Sequence, residues 1–128
     1  MSKLSCINLA TCLLLATIST NCASQSTKTT QQKMDEVLTN ITQKIGNAEC
    51  TSDKQCASIP IGAKPCGGPW SYRAYSTAHT DSEKLKTLVL HHKTLNKKYN
   101  QESGLMSDCA MAMEPAVACV NRSCKFVE

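Results

Sequence analysis

The chain has 128 residues, with 14 Lys and Arg against 10 Asp and Glu for a formal net charge of +4. That excess is mild and forms no block of one sign, which argues against nucleic acid as a partner. Aromatic residues make up 4% and cysteine occurs nine times. A small core so poor in large apolar groups is marginal, and cysteines at this density point to disulfides as the compensation.

Residues 1–21 have the layout of a signal peptide. Lys3 is the only charge, an apolar run peaks at Leu13, Leu14 and Leu15, and small or polar residues follow. A membrane-spanning helix needs about 20 mostly apolar residues, and Asn8, Thr11 and Thr17 interrupt a run that is already shorter. Residues 22–30 then read as an anchor cysteine and a polar tether. Cys6 and Cys12 leave with the signal. Cys22 is either the first mature residue or is lost in a cut after Ala23. Both leave Cys50, Cys56, Cys66, Cys109, Cys119 and Cys124 in the body, an even set that fits three disulfides in an oxidising compartment.

Residues 31–128 form one expected domain. Met34, Val37, Leu38, Ile41 and Ile45 recur at helical spacing and predict a helix over 31–45. Thr29 with Gln32 gives it a capping box, and Gly46 gives it a stop. Ala57, Ile59 and Ile61 alternate with polar or proline positions and predict a short strand, confined by Pro60 to an edge. The run 62–69 holds two prolines and three glycines, so it is a loop. Trp70, Tyr72 and Ala74 alternate into a second strand. Leu85, Leu88, His92, Leu95 and Tyr99 lie on one stripe and predict a helix over 81–100, capped by Thr80 and Glu83. Segments 109–113, 117–120 and 124–127 read as short strands. The fold class expected is α+β: a small disulfide-rich domain with two helices packed on a short antiparallel sheet.

A two-residue turn at Asn121 and Arg122 would place Cys119 opposite Cys124, within reach of a disulfide. Cys56 with Cys66 and Cys50 with Cys109 would complete the set, although six cysteines permit 15 connectivities and a longer turn would free both hairpin cysteines to pair elsewhere.

Several chemistries find no support in the spacing. No C-x-x-C occurs, so neither a zinc knuckle nor a thioredoxin-type motif is expected. His91 and His92 are adjacent and diverge by about 100° on a helix, unlike an i, i+4 ligand pair. An even disulfide set leaves no thiolate nucleophile, and no G-x-S-x-G elbow is present. Asp108 and Glu114 could pair as carboxylates, as any chain with ten acids allows. The expectation is therefore no enzyme, no metal and no cofactor. Lys84, Lys86, Lys93, Lys97 and Lys98 read as a solvated helix face, because the apolar stripe lacks the bulky anchors of an interfacial helix.

The segment 62–76 concentrates what recognition surfaces use. It holds the only Trp and two of the three Tyr, beside a proline-flanked cysteine and glycines. Lys64, Trp70, Tyr72, Arg73 and Tyr75 are the candidate binding residues, since Trp, Tyr and Arg dominate interface energetics and a loop fixed by a disulfide loses little entropy on binding. The plain alternative is that Trp70 and Tyr72 are the domain's scarce core aromatics.

Ser19, Thr20, Asn21 and Cys22, with the cysteine layout that follows, resemble the small cysteine-rich lipoproteins of bacteria. The usual signal has an aliphatic residue three places before the cysteine and a small one just before it; Ser19 and Asn21 depart from that. The resemblance implies lipidation at Cys22, a membrane partner through that anchor and, with Ala23 in place of an inner-membrane-retaining aspartate, an outer-membrane site. It transfers no activity. The function expected is a non-enzymatic binding or inhibitory module acting on another envelope or secreted protein. A freely secreted hydrolase inhibitor is the alternative, and a small hydrolase the third.

Overall fold

The computed structural model describes residues 28–128. The expected signal peptide, Cys22 and the residues just after it lie outside that range. The elements run α1 (Thr30–Ile45), a 3-10 turn (Asp53–Gln55), β1 (Cys56–Ile61), β2 (Ser71–Ser76), α2 (Ser82–Ser103), β3 (Ala116–Val120) and β4 (Ser123–Val127). The class is α+β with a disulfide-rich build, as expected. The strands, however, form two separate two-stranded sheets, β1 with β2 and β3 with β4.

Helix α1 starts where its cap dictates. The Thr29 hydroxyl accepts the Gln32 N–H at 3.2 Å, and the Gln32 side chain accepts the Thr29 N–H at 2.9 Å. It stops at Gly46, whose φ of 54° suits a residue without Cβ. Val37 and Ile41 are its buried face.

The cap of α2 differs from expectation. Asp81, not Thr80, is the N-cap, and its carboxylate accepts the Lys84 N–H at 3.1 Å. That hydrogen bond, reinforced by the Lys84 ammonium, holds the Asp81 carboxyl below its usual range. Thr80 is buried, and its hydroxyl reaches back to the Lys44 carbonyl at the end of α1. It therefore joins the two helices instead of starting one.

Both sheets are antiparallel. Cys56 faces Ser76 and Ile61 faces Ser71 in the first; Cys119 faces Cys124 and Val120 faces Ser123 in the second. The hairpin register is the one expected, and Asn121 and Arg122 both take positive φ, 51° and 62°, as a tight hairpin turn requires. The segment 109–113 is not a strand. Its Met111 and Met113 side chains stand in solvent, so no apolar face drives it against a sheet.

One apolar core joins α1, β1, β2 and α2 through Val37, Ile41, Ile59, Tyr75, Leu85 and Val89. A second, smaller one gathers Ala48, Cys50 and Cys124. Around it, backbone bonds fasten the segment after α1 to the hairpin: Cys124 N–H donates to Ala48 O at 2.8 Å and Cys50 N–H to Arg122 O at 3.1 Å.

The disulfides join Cys50 with Cys119, Cys56 with Cys124, and Cys66 with Cys109, with Cα separations of 5.9, 5.4 and 5.3 Å. All three expected pairings are corrected. Cys119 and Cys124 do face each other, on one face of the hairpin. That face docks on the segment carrying Cys50 and Cys56, so each cysteine finds its partner across the interface. Cys56 opens β1 while Cys66 lies beyond its far end, and a six-residue strand spans about 20 Å, too far for a bond. These disulfides place the domain in an oxidising compartment. No helix among the described residues is long and apolar enough to cross a membrane.

Candidate functional site

The loop 62–70 joins β1 to β2 and is held from three directions. From α2, the Asn96 Oδ1 atom accepts the Ala63 N–H at 2.7 Å, and the Asn100 side-chain amide donates to the Ala63 carbonyl at 2.7 Å. The two asparagines are themselves linked at 3.3 Å. Together they satisfy both polar groups of one buried residue. Gly62 makes the approach possible. A Cβ there would lie 2.8 Å from both Asn96 Oδ1 and Trp70 Cδ1, and its φ is +78°.

From the segment after α2, Cys109 bonds Cys66. Lys64 reinforces this contact: its ammonium donates to Asp108 Oδ1 and to the Ala110 carbonyl, each at 2.8 Å. The same ammonium lies 5.4 Å from the Trp70 ring centroid, within cation–π range. The Lys64 side chain is only 11% exposed. From its own strands, the Trp70 N–H donates to Ile61 O at 2.9 Å, while Lys64 N–H to Gly68 O and Gly67 N–H to Lys64 O close the turn.

The five candidate residues separate on this framework. Trp70 is 39% exposed at the loop's end and packs against Gly62. Tyr72 is half-buried beside it. Arg73, next along β2, points to the other face and lines a hollow with Phe126 and Lys125. Tyr75 is 6% exposed and belongs to the core. Lys64 has its charge committed to Asp108 and serves as a strut. The site therefore reduces to Trp70 and Tyr72 with their surroundings.

Beside them lies a cavity of about 490 Å³ between the loop, the β1–β2 hairpin and α2. Ile59, Pro60 and Tyr72 form one wall, and Val89 and Leu90 form the other, with Lys86 and Lys93 at the helix rim. A larger hollow of about 650 Å³ lies between Asn47, Glu49, His79 and Arg122, where no large apolar side chain lines it.

The other candidate chemistries come apart. Asp108 is paired with Lys64, and the Glu114 carboxylate accepts the Ser58 hydroxyl, so the two acids do not meet as a dyad. Among the described residues, one cluster of His, Cys, Asp or Glu atoms is close enough to hold a metal: Cys50, Cys56 and Cys124. All three sulfurs are in disulfides and offer no thiolate. His79 and His91 are exposed, while His92 is 5% exposed. Burial, and to a lesser degree the adjacent His91, holds its imidazole below the usual range, with Asp35 of α1 opposing.

Asn96 and Asn100 were not legible as site residues. The available signal was their spacing, which continues the buried line Leu85, Val89, His92; their polarity concealed it. No protein family, curated protein or solved structure matches the chain.

Proposed function

We propose that this protein is an exported, lipid-anchored envelope module that binds another envelope or secreted protein through the loop 62–70 and Tyr72, without catalysis. One observation carries the reading: the loop is fixed by a buried asparagine clamp and a disulfide, yet Trp70 remains 39% exposed. A rigid aromatic held ready at a surface is the arrangement that binds with little ordering cost. The three disulfides support export. The sequence around Cys22 supports anchoring at that residue, on the outer membrane.

Capture from envelope extract tests the binding half. Wild type and the exposed control Lys54→Ala are expected to retain one protein partner that Trp70→Ala loses while staying folded by circular dichroism. Retention by Trp70→Ala would refute the assignment. Labelling with a lipid analogue tests the anchor: label on wild type and none on Cys22→Ala is expected, and label that survives the substitution would exclude Cys22.

A further inference from the structure

We infer that the cavity between loop 62–70 and α2 is a binding site for an amphipathic carboxylate, an aliphatic chain ending in a single negative charge. This goes beyond the protein-binding reading and rests on the cavity alone.

Its volume, about 490 Å³, lies within the ~300–1,000 Å³ of small-molecule sites. The walls are aliphatic: Ile59 and Pro60 on β1, Val89 and Leu90 on α2. Leu90 is 64% exposed there, an apolar side chain of a helix otherwise packed on the core, left uncovered at the mouth. Exposed apolar surface of this kind, rimmed by polar groups, marks ligand grooves.

The rim sets the charge. Lys86 and Lys93 are seven residues apart, two helical turns or about 10 Å, and so flank Leu90 on one face. No acidic residue lines the cavity. Lys86 already donates to Glu83 at 2.9 Å. Lys93 forms no ion pair among the described residues. An occupant complementary to these walls is apolar along its length and carries one anionic group at the Lys93 end. The loop backbone, pinned by Asn96 and Asn100 just beyond Lys93 on α2, borders the cavity at Gly62 and Gly68.

The structure supplies its own reporter. The single tryptophan packs on Gly62, a lining residue. Decanoate, added below its micelle-forming concentration, is expected to change Trp70 emission saturably, with matching uptake of radiolabelled decanoate in equilibrium dialysis. Lys93→Glu should weaken binding at least tenfold and Leu90→Asp should abolish it, both with unchanged circular dichroism. Decyltrimethylammonium, the same chain with the opposite charge, should not bind. No uptake in dialysis, equal binding of the cationic amphiphile, or full binding by Lys93→Glu would each overturn the assignment. Failure here with protein capture still dependent on Trp70 removes the cavity ligand and leaves the loop reading standing; capture that requires Lys93 and Leu90 without decanoate uptake assigns the groove to the protein partner instead.

Discussion

The Oδ1 atom of Asn96 accepts the N–H of Ala63 at 2.7 Å, a buried bond between residues 33 apart in sequence. It fixes the start of the exposed loop to the C-terminal half of α2. Replacing Asn96 by Leu leaves a buried N–H without a partner, which costs about 1–3 kcal/mol. Urea unfolding of Asn96→Leu should show that loss with an unchanged slope. A stability equal to wild type would mean the clamp is dispensable.

Gly62 faces a second constraint at the same place. Alanine there meets both the unfavourable φ of +78° and the oxygen of Asn96. The expected loss is about 3 kcal/mol, combining backbone strain with a disrupted clamp. Gly104→Ala is the matched control. Its φ is +62° with nothing within 4 Å of the added Cβ, so about 1 kcal/mol is expected. Thermal unfolding of the two variants should rank them in that order.

These two positions show what could be read from the chain and what could not. Helix α1 was legible because Thr29, Gln32 and Gly46 are local signals that act within a few residues. The β3–β4 register was legible for the same reason, from a two-residue turn. The cap of α2 was misread because Thr80 takes a tertiary contact with Lys44, which no local pattern encodes. The cysteine partners were misread because hairpin geometry gives Cys119 and Cys124 a shared face but not what docks on it. The candidate loop was found by composition, and the roles within it were not: Tyr75 turned to the core and Lys64 to Asp108. Helical spacing aligns Asn96 and Asn100 with the buried line of α2, but the clamp needs the spatial meeting of α2 with the loop, which that spacing does not encode.

The disulfide pairing is directly measurable. Peptide mapping without reduction should yield Cys50–Cys119, Cys56–Cys124 and Cys66–Cys109. The first two bridge 69 and 68 residues of sequence, and loops of that length imply about 4 kcal/mol from restricting the unfolded chain. The double variant Cys56→Ala, Cys124→Ala should lose about that much stability. A Cys119–Cys124 peptide in the map would contradict the docking of the hairpin described above.

His92 makes stability depend on pH. Its Nδ1 has no hydrogen-bond partner among the described residues, and burial lowers its affinity for a proton from the ordinary 6.5. The unfolded chain therefore binds a proton more readily than the folded one as pH falls below 6.5. Stability from this residue is fully present above that value and is lost as pH falls toward the lowered folded-state value. Denaturant midpoints at pH 7.5 and 5 should differ in wild type, and the difference should shrink in His92→Leu. An unchanged difference would assign the pH dependence to other groups.

If the fixed loop presents Trp70 to a protein partner, a photoreactive phenylalanine analogue in place of exposed Ser71, the next residue in the chain, lies at the contact. In intact cells, with the same analogue at position 54 as a reference, irradiation is expected to give a discrete protein adduct from position 71 that Trp70→Ala removes, and none from position 54. No adduct from position 71, an adduct that survives Trp70→Ala, or the same adduct from both positions would refute the presentation of Trp70.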